Sequence, residues 1–495
     1  MLENFEDFYD YSLLNLESNF DRFKLGYFVN AFYDNNFNLT SSDNIPFSLY
    51  LVGLLPFICR LLTLNQVYIS LPNEINSKIP INCYSFGFFG SGGGKGRVAS
   101  ALSEIMSEYS KRLKNKFDIQ RNKLILELQQ KGYTQKQESQ LIDELKRTFK
   151  GNDLLGDITT AGFRSSAEKF SQFEKPIGGI FIIIDEFSEF IRYCMKNELK
   201  NDTLTTFFKI YDNGKLAGTQ LKEKSYESID FLPTNIVMTG TYKKLQNGDI
   251  GQFFRQKLDE GLARRAIMAL PSANEMAFFE KRNNDDYLKN PIEHFNSQKT
   301  MNTFIYQNLK KEIIEIIDNS ENLKELKLDE DALLIFYNYK EHCYQRSKNI
   351  KDELLKVEMI NRFWKALKLA GVYHCLNTKL GTSVLGLDAF RQAIYTVEYF
   401  GFHFKRFIEN ENVLETDYII KILLENIDKL MTGRDISRHR YFKEIKMGRR
   451  TPKQFLKDNT QQIREDCLAM GYLLDYQEIG KNKNGTQYTL TKIEV

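Results

Sequence analysis

Residues 82–97, Asn-Cys-Tyr-Ser-Phe-Gly-Phe-Phe-Gly-Ser-Gly-Gly-Gly-Lys-Gly-Arg, run an apolar segment into a cluster of glycines and a lysine. The pattern predicts a strand that hands the chain to a Gly-rich loop and then to a helix N-terminus. Such a loop presents a nest of backbone N–H groups to phosphate, and its lysine reaches the terminal phosphates. Gly90, Ser91, Gly92, Gly93, Gly94, Lys95, Gly96 and Arg97 are therefore the candidate nucleotide-binding residues, with ATP as the expected ligand. Counting back from Lys95, Phe89 stands where the Walker A pattern has its first glycine. Gly96 stands where that pattern has a Ser or Thr to ligate Mg²⁺.

A second stretch supplies the chemistry that the first lacks. Residues 180–186, Ile-Phe-Ile-Ile-Ile-Asp-Glu, predict a strand buried on both faces that ends in two carboxylates, bounded upstream by Pro176, Gly178 and Gly179. This is the form of a Walker B strand. Asp185 is the expected Mg²⁺ ligand, directly or through water, and Glu186 the residue that polarises the attacking water. Either motif alone occurs in many α/β proteins; their combination points to a triphosphatase. Lys95 and Asp185 stand 90 positions apart, which suits such a core carrying an insertion.

The 495 residues suffice for several domains. Lys plus Arg number 68 against 65 for Asp plus Glu, so the formal charge is only +3 and any nucleic-acid contact must come from local patches. Six cysteines at 59, 83, 194, 343, 375 and 467 form no Cys-x-x-Cys pair, and with five histidines they exclude zinc-site and disulfide-framework readings. A reducing cytoplasm is the expected compartment, because the acidic N-terminus has no signal-peptide character. The one membrane-like stretch is 45–63. Pro56 and Arg60 within it favour a buried helix, so no membrane partner is expected.

Four units are expected along the chain. Residues 1–44 read as a small helical lead-in, 45–275 as an α/β core with a helical hairpin inserted at 104–150, 276–412 as a helical lid, and 413–495 as a separate unit. Within the core, 66–71 and 82–89 read as strands, 220–232 as a hairpin, and 233–241 as a buried strand ending in small polar residues. Thr239 or Thr241 at that end is placed to sense a γ-phosphate, although a plain Thr-rich strand end reads the same. The last unit reads as helix (416–430), a turn at Thr432-Gly433, helix (435–443), helix (453–469), strand (472–478), a lysine-bearing turn and strand (486–493), which is the winged-helix plan. Between 431 and 453 stand eight Lys or Arg residues against Asp435 and Glu444. Arg438, Arg440, Arg449 and Arg450, with Lys481 and Lys483 of the turn, are the candidate duplex contacts. A protein-docking winged helix is the alternative.

In order and spacing, the chain resembles the ATPase half of phage and mobile-element replication proteins, the superfamily-three-like AAA+ helicases, over about residues 45–410. The resemblance is carried by the two Walker-like motifs and by Asp157-Ile-Thr-Thr160 before the acidic strand. Ile210-Tyr-Asp-Asn-Gly214 before the 233–241 strand, Gly261-Leu-Ala-Arg-Arg-Ala-Ile-Met-Ala-Leu-Pro271 and the helix at 362–371 add to it. It implies a P-loop core with an AAA+-like parallel sheet, a helical lid, a C-terminal winged helix, and a homo-hexameric ring that unwinds DNA using MgATP. Single-stranded DNA would pass through the pore past Lys222 and Lys224, and a primase or replication initiator is a possible partner. It also implies that Arg265, with Arg264 as alternative, reaches a γ-phosphate in cis or in trans. A packaging or defence ATPase, and a nucleotide-binding assembly factor with weak hydrolysis, are the competing expectations.

Overall fold

The computed structural model describes residues 22–33, 45–72, 78–89, 107–130, 135–148, 154–155, 160–171, 178–221, 224–246, 248–271, 307–308, 310–320, 323–377, 382–409, 413–445, 450–469, 472–479 and 485–492. Five strands make the central sheet: β1 (Tyr84–Phe89), β2 (Leu154–Leu155), β3 (Ile180–Ile184), β4 (Thr234–Thr241) and β5 (Ala266–Ala269), in spatial order β2-β3-β4-β1-β5. Every pairing is parallel. The apolar runs that make up β3 and β5 follow from burial on both faces. Registers Ile182↔Ile236 and Tyr84↔Ile236 put Phe181 and Phe86 on opposite faces of the sheet. Phe57 meets Phe181 edge-on at 4.6 Å on one face. On the other, Phe86 meets Phe187 and Phe254 at 5.0 and 5.3 Å.

Phe57 belongs to helix Phe47–Thr63, in which all 17 residues are buried. A helix apolar on every side must be enclosed. Arg60 stays within it because its guanidinium lies 5.0 Å from each of the Tyr109 and Phe181 ring centroids, a stacked arrangement that suits a weakly hydrated cation. Among the described residues, no helix is long and apolar enough to cross a membrane. The inserted pair is present as helices Ser107–Gln129 and Gln135–Thr148. The first lays Tyr109, Leu113 and Phe117 into the core.

The division at 275/276 is not a division of the core. Strand Tyr68–Ser70 pairs in parallel with Glu325–Leu328, which pairs with Val384–Leu385, so backbone hydrogen bonds stitch the two expected units into one four-stranded sheet. One continuous apolar cluster runs from Leu25 to Ile408. Helices Glu330–Ser347, Glu353–Asn377 and Leu387–Glu409 pack into it rather than forming an independent lid. Phe407 stacks on Phe88 of β1 at 4.7 Å.

Residues 413–492 have a core of their own, from Ile419 to Leu490. It is built of helix Val413–Leu424, strand Met431–Thr432, helices Gly433–Arg438 and Pro452–Ala469, and a hairpin of Tyr472–Ile479 with Gly485–Lys492. The short strand Met431–Thr432 joins Gly485–Lys492. Thr432, expected in a turn, is instead the N-cap of Gly433–Arg438, closed reciprocally by Asp435 in a capping box.

His403 marks how dry the main core is. Its Nδ1 faces the N–H and C=O of Leu270 at 3.1 and 2.7 Å. Burial, with Arg406 beside it, holds the imidazole down at about 3. The unfolded chain takes up this proton near the ordinary value of 6.5, so His403 contributes stability in full above that pH, lost as pH falls from 6.5 toward 3. His342, held by burial at about 4, acts in the same direction. Chemical denaturation at pH 7.5 and pH 5 should show a loss of about 2 kcal/mol assignable to His403. His403→Gln should flatten that difference; an unchanged pH slope in the variant would assign the acid lability elsewhere.

Candidate functional site

In a sheet of parallel strands, all C-terminal ends lie along one edge, and ligands bind there where the strand order reverses. Here the reversal falls between β1 and β4. The chain leaves β1 for β2 on one side, returns through β3 and β4, and then crosses β1 to reach β5 on the other. Phe89, after which the Gly-rich stretch begins, is in register with Thr241 of β4, and Ile184 is in register with Met238. The loop entry, the Thr239–Thr241 end and the Asp185–Glu186 pair thus meet at one edge. Residues 90–97, including Lys95, lie outside the described residues, as do Asp157, Ile158 and Thr159 of the segment before β3.

Asp185 and Glu186 are both exposed, and Glu186 stands at the N-terminus of helix Phe187–Lys196. Thr239 is buried, and its hydroxyl donates to the backbone carbonyl of Asp185. It therefore ties β4 to the end of β3 instead of projecting as a sensor, which leaves Thr241, only partly buried, as the side chain at the strand end. Among the described residues, no group of three or more His, Cys, Asp or Glu is arranged to hold a metal ion.

The two arginines lie at the other edge. Tyr84, the first residue of β1, is in register with Ala266, so Arg264 and Arg265 precede β5 at the N-terminal side of the sheet. The six residues of β1 separate them from Phe89 by about 16 Å of strand. Neither can reach the carboxyl edge at which Asp185 and Glu186 stand. Arg265, the first-choice phosphate contact, is buried: Nη2 donates to Asp212 Oδ2 at 2.6 Å, and Nη1 to Gly261 O at 3.2 Å. Gly261 has φ 145°, and a Cβ there would lie 2.2 Å from Arg265 Nη1. The Gly-x-x-x-Arg spacing is thus accounted for by packing, since the glycine clears the space into which Arg265 folds. Arg264 is the presented residue, 43% exposed and 3.9 Å from Asp212. Burial and the neighbouring Arg265 both pull its guanidinium below its ordinary value.

The hairpin expected at 220–232 is present as Thr219–Leu221 and Lys224–Tyr226; Lys222 lies outside the described residues. In the C-terminal unit Arg438 and Arg440 are exposed. Arg440 rests on the Tyr441 ring at 4.7 Å and faces Glu425 at 3.5 Å. Glu425 also approaches His439, so it adds a carboxylate that counting charges between 431 and 453 left out. Arg450 lies over Phe455 at 4.9 Å. Arg449, Lys481 and Lys483 lie outside the described residues. Sequence reasoning missed the face of helix Pro452–Ala469 on which Lys457, Gln461 and Arg464 are exposed. The i, i+4, i+7 spacing of these polar residues was the available signal.

No protein-family model matches this chain, and no curated protein matches it either.

The separation of structural from presented arginine is measurable. Asp212→Ala removes the only carboxylate bonded to buried Arg265 among the described residues, and should destabilise the fold by about 2–3 kcal/mol. The double variant Asp212→Ala/Arg265→Met should recover most of that loss in a denaturation cycle. Arg264→Ala should stay within about 0.5 kcal/mol of wild type. Equal destabilisation by Arg264→Ala and Asp212→Ala would refute the division.

Proposed function

We propose that the chain is an ATP hydrolase of the P-loop AAA+ type that drives DNA unwinding or translocation as a ring of identical subunits, in the replication of a phage or mobile element. The observation that carries the reading is the shared carboxyl edge, where the entry to the Gly-rich loop, the end of β4 and Asp185–Glu186 meet at the reversal of strand order. In this reading Gly92, Gly93, Gly94 and Lys95 hold the phosphates, with Gly90, Ser91, Gly96 and Arg97 completing the loop. Asp185 holds Mg²⁺, which when bound neutralises charge developing on the phosphates. Glu186 orients the attacking water, and Thr239 keeps Asp185 in place through its backbone.

Arg264, at the opposite edge, serves ATP bound to a neighbouring subunit, because its own subunit's site is out of reach. This makes the assembly part of the catalyst: an isolated subunit has every group for binding and lacks the cation that stabilises transfer. The C-terminal unit, with its own core and three-stranded sheet, is read as a winged helix on duplex DNA. In this reading Arg438, Arg440 and Arg450, with Arg449 next to Arg450 in sequence, neutralise phosphates, and the exposed face at Lys457, Gln461 and Arg464 adds base-edge donors. A second reading, a nucleotide-binding assembly factor with weak turnover, is favoured by Gly96 in place of a hydroxyl.

Lys95→Ala should weaken both ATP binding and turnover, whereas Glu186→Gln should bind ATP like wild type and lose turnover by ~100-fold or more. Wild-type hydrolysis by Glu186→Gln overturns the Walker B reading, and slow hydrolysis by the unmutated chain with and without single-stranded DNA supports the assembly factor.

Reversing Arg449 and Arg450 to Glu should weaken duplex binding and flatten its salt dependence by roughly one log–log unit for each phosphate no longer neutralised. Basal ATPase should survive, since the C-terminal core is separate. Unchanged binding across a salt titration would make this unit a protein-docking module.

A further inference from the structure

Helix Glu353–Asn377 carries two buried lysines that take no part in the cycle above, and both end on backbone at the edge where Arg264 is displayed. Lys365 Nζ lies 3.3 Å from Ala263 O, 3.2 Å from Ala266 O and 2.6 Å from Glu358 Oε1. The two carbonyls bracket Arg264 and Arg265. One turn on, Lys368 Nζ lies 2.6 Å from Asn82 Oδ1, 3.1 Å from Pro80 O and 2.9 Å from Tyr211 O. Tyr211 adjoins Asp212, the partner of Arg265. A single helix thus grips both halves of the junction that supports Arg264.

An ammonium has three N–H donors, and each of these two meets at least three acceptors. In a dry core such a charge is tolerated only while its acceptors stay in place. The grip is braced from behind. Arg362 Nη2 bonds Glu358 at 2.5 Å and Nη1 bonds Glu398 of helix Leu387–Glu409 at 2.7 Å, and all four charged side chains are at most 4% exposed. Burial alone would raise the Glu358 carboxyl, but Arg362 and Lys365 outweigh it and hold it at about 2. Gly401 makes room for the guanidinium, since a Cβ there would lie 2.2 Å from Arg362 Cζ.

We propose that Lys365, seconded by Lys368, is a positioning residue that sets Arg264 for action on ATP held by the neighbouring subunit. This rests on the reading of the chain as an ATPase ring. Lys365 lies at the arginine edge of the sheet, away from its own subunit's nucleotide edge, so its loss should act through Arg264 while leaving that nucleotide site intact.

The test is subunit complementation. Lys365→Met/Glu358→Gln removes one charge of each sign, and the variant should bind a fluorescent ATP analogue with Kd within about twofold of wild type. Its KM should change little while kcat falls ~10–100-fold, as a misplaced catalytic group does. Co-expressed with Glu186→Gln subunits, it should regain turnover. Its own intact site would then be served by a correctly set Arg264 on the Glu186→Gln neighbour. Arg264→Ala should complement Glu186→Gln in the same way. Where the paired variant melts well below wild type, Lys365→Arg, which keeps the charge and displaces it, takes its place. If the folded Lys365 variant fails to regain turnover while Arg264→Ala succeeds, the positioning role falls and the ring reading stands. If neither mixture regains turnover, both fall.

Discussion

Four charges lie out of water between helices Glu353–Asn377 and Leu387–Glu409: Glu358, Arg362, Lys365 and Glu398. Moving a carboxylate or ammonium into a protein interior carries a penalty of several kcal/mol per ion, recovered only when the geometry is good and the remaining donors are satisfied. Breaking one link strands a charge at about 3–5 kcal/mol. Such a network tolerates few alternatives. It fixes the rotation of the long helix, and through Lys365 and Lys368 it fixes that helix against the turn before β5 and the end of helix Glu198–Asn213.

The same constraint explains why the expected lid is part of the core. A lid that swings must expose its contact surface at low cost. Here the contact includes buried ammonium groups on backbone carbonyls, parallel pairing of Tyr68–Ser70 with Glu325–Leu328, and the stack of Phe407 on Phe88. Opening it would unpair buried polar groups with no water to replace their partners. The helices are therefore suited to move only as one body with the sheet behind them and the turn at Ala263–Arg265 at one end.

Much of the central sheet was legible in the sequence, because a strand buried on both faces is a continuous apolar run, and β1, β3 and β4 each end in residues of a different kind: glycines, acids and threonines. The insertion between β1 and β2 was legible from helical spacing of leucine and phenylalanine within a charged background. The strands Glu325–Leu328, Val384–Leu385 and Met431–Thr432 were not, since segments of two to four residues carry too little periodicity and are defined by partners distant in the chain.

What the sequence determined by itself is which residue types follow the strands: a Gly-rich stretch with Lys95, and the pair Asp185–Glu186 after a buried strand. These are local patterns, set by steric freedom and by burial. Which arginine is presented, and at which edge of the sheet, only the tertiary structure decided. Arg264 and Arg265 are adjacent and chemically identical, and one spacing rule fits both. Parallel register put them at the edge away from the acids, and burial against Asp212 and Gly261 removed Arg265 from solvent while leaving Arg264 in it. The physical reason is that burial and strand polarity are properties of how distant segments meet, and no window of the chain contains them.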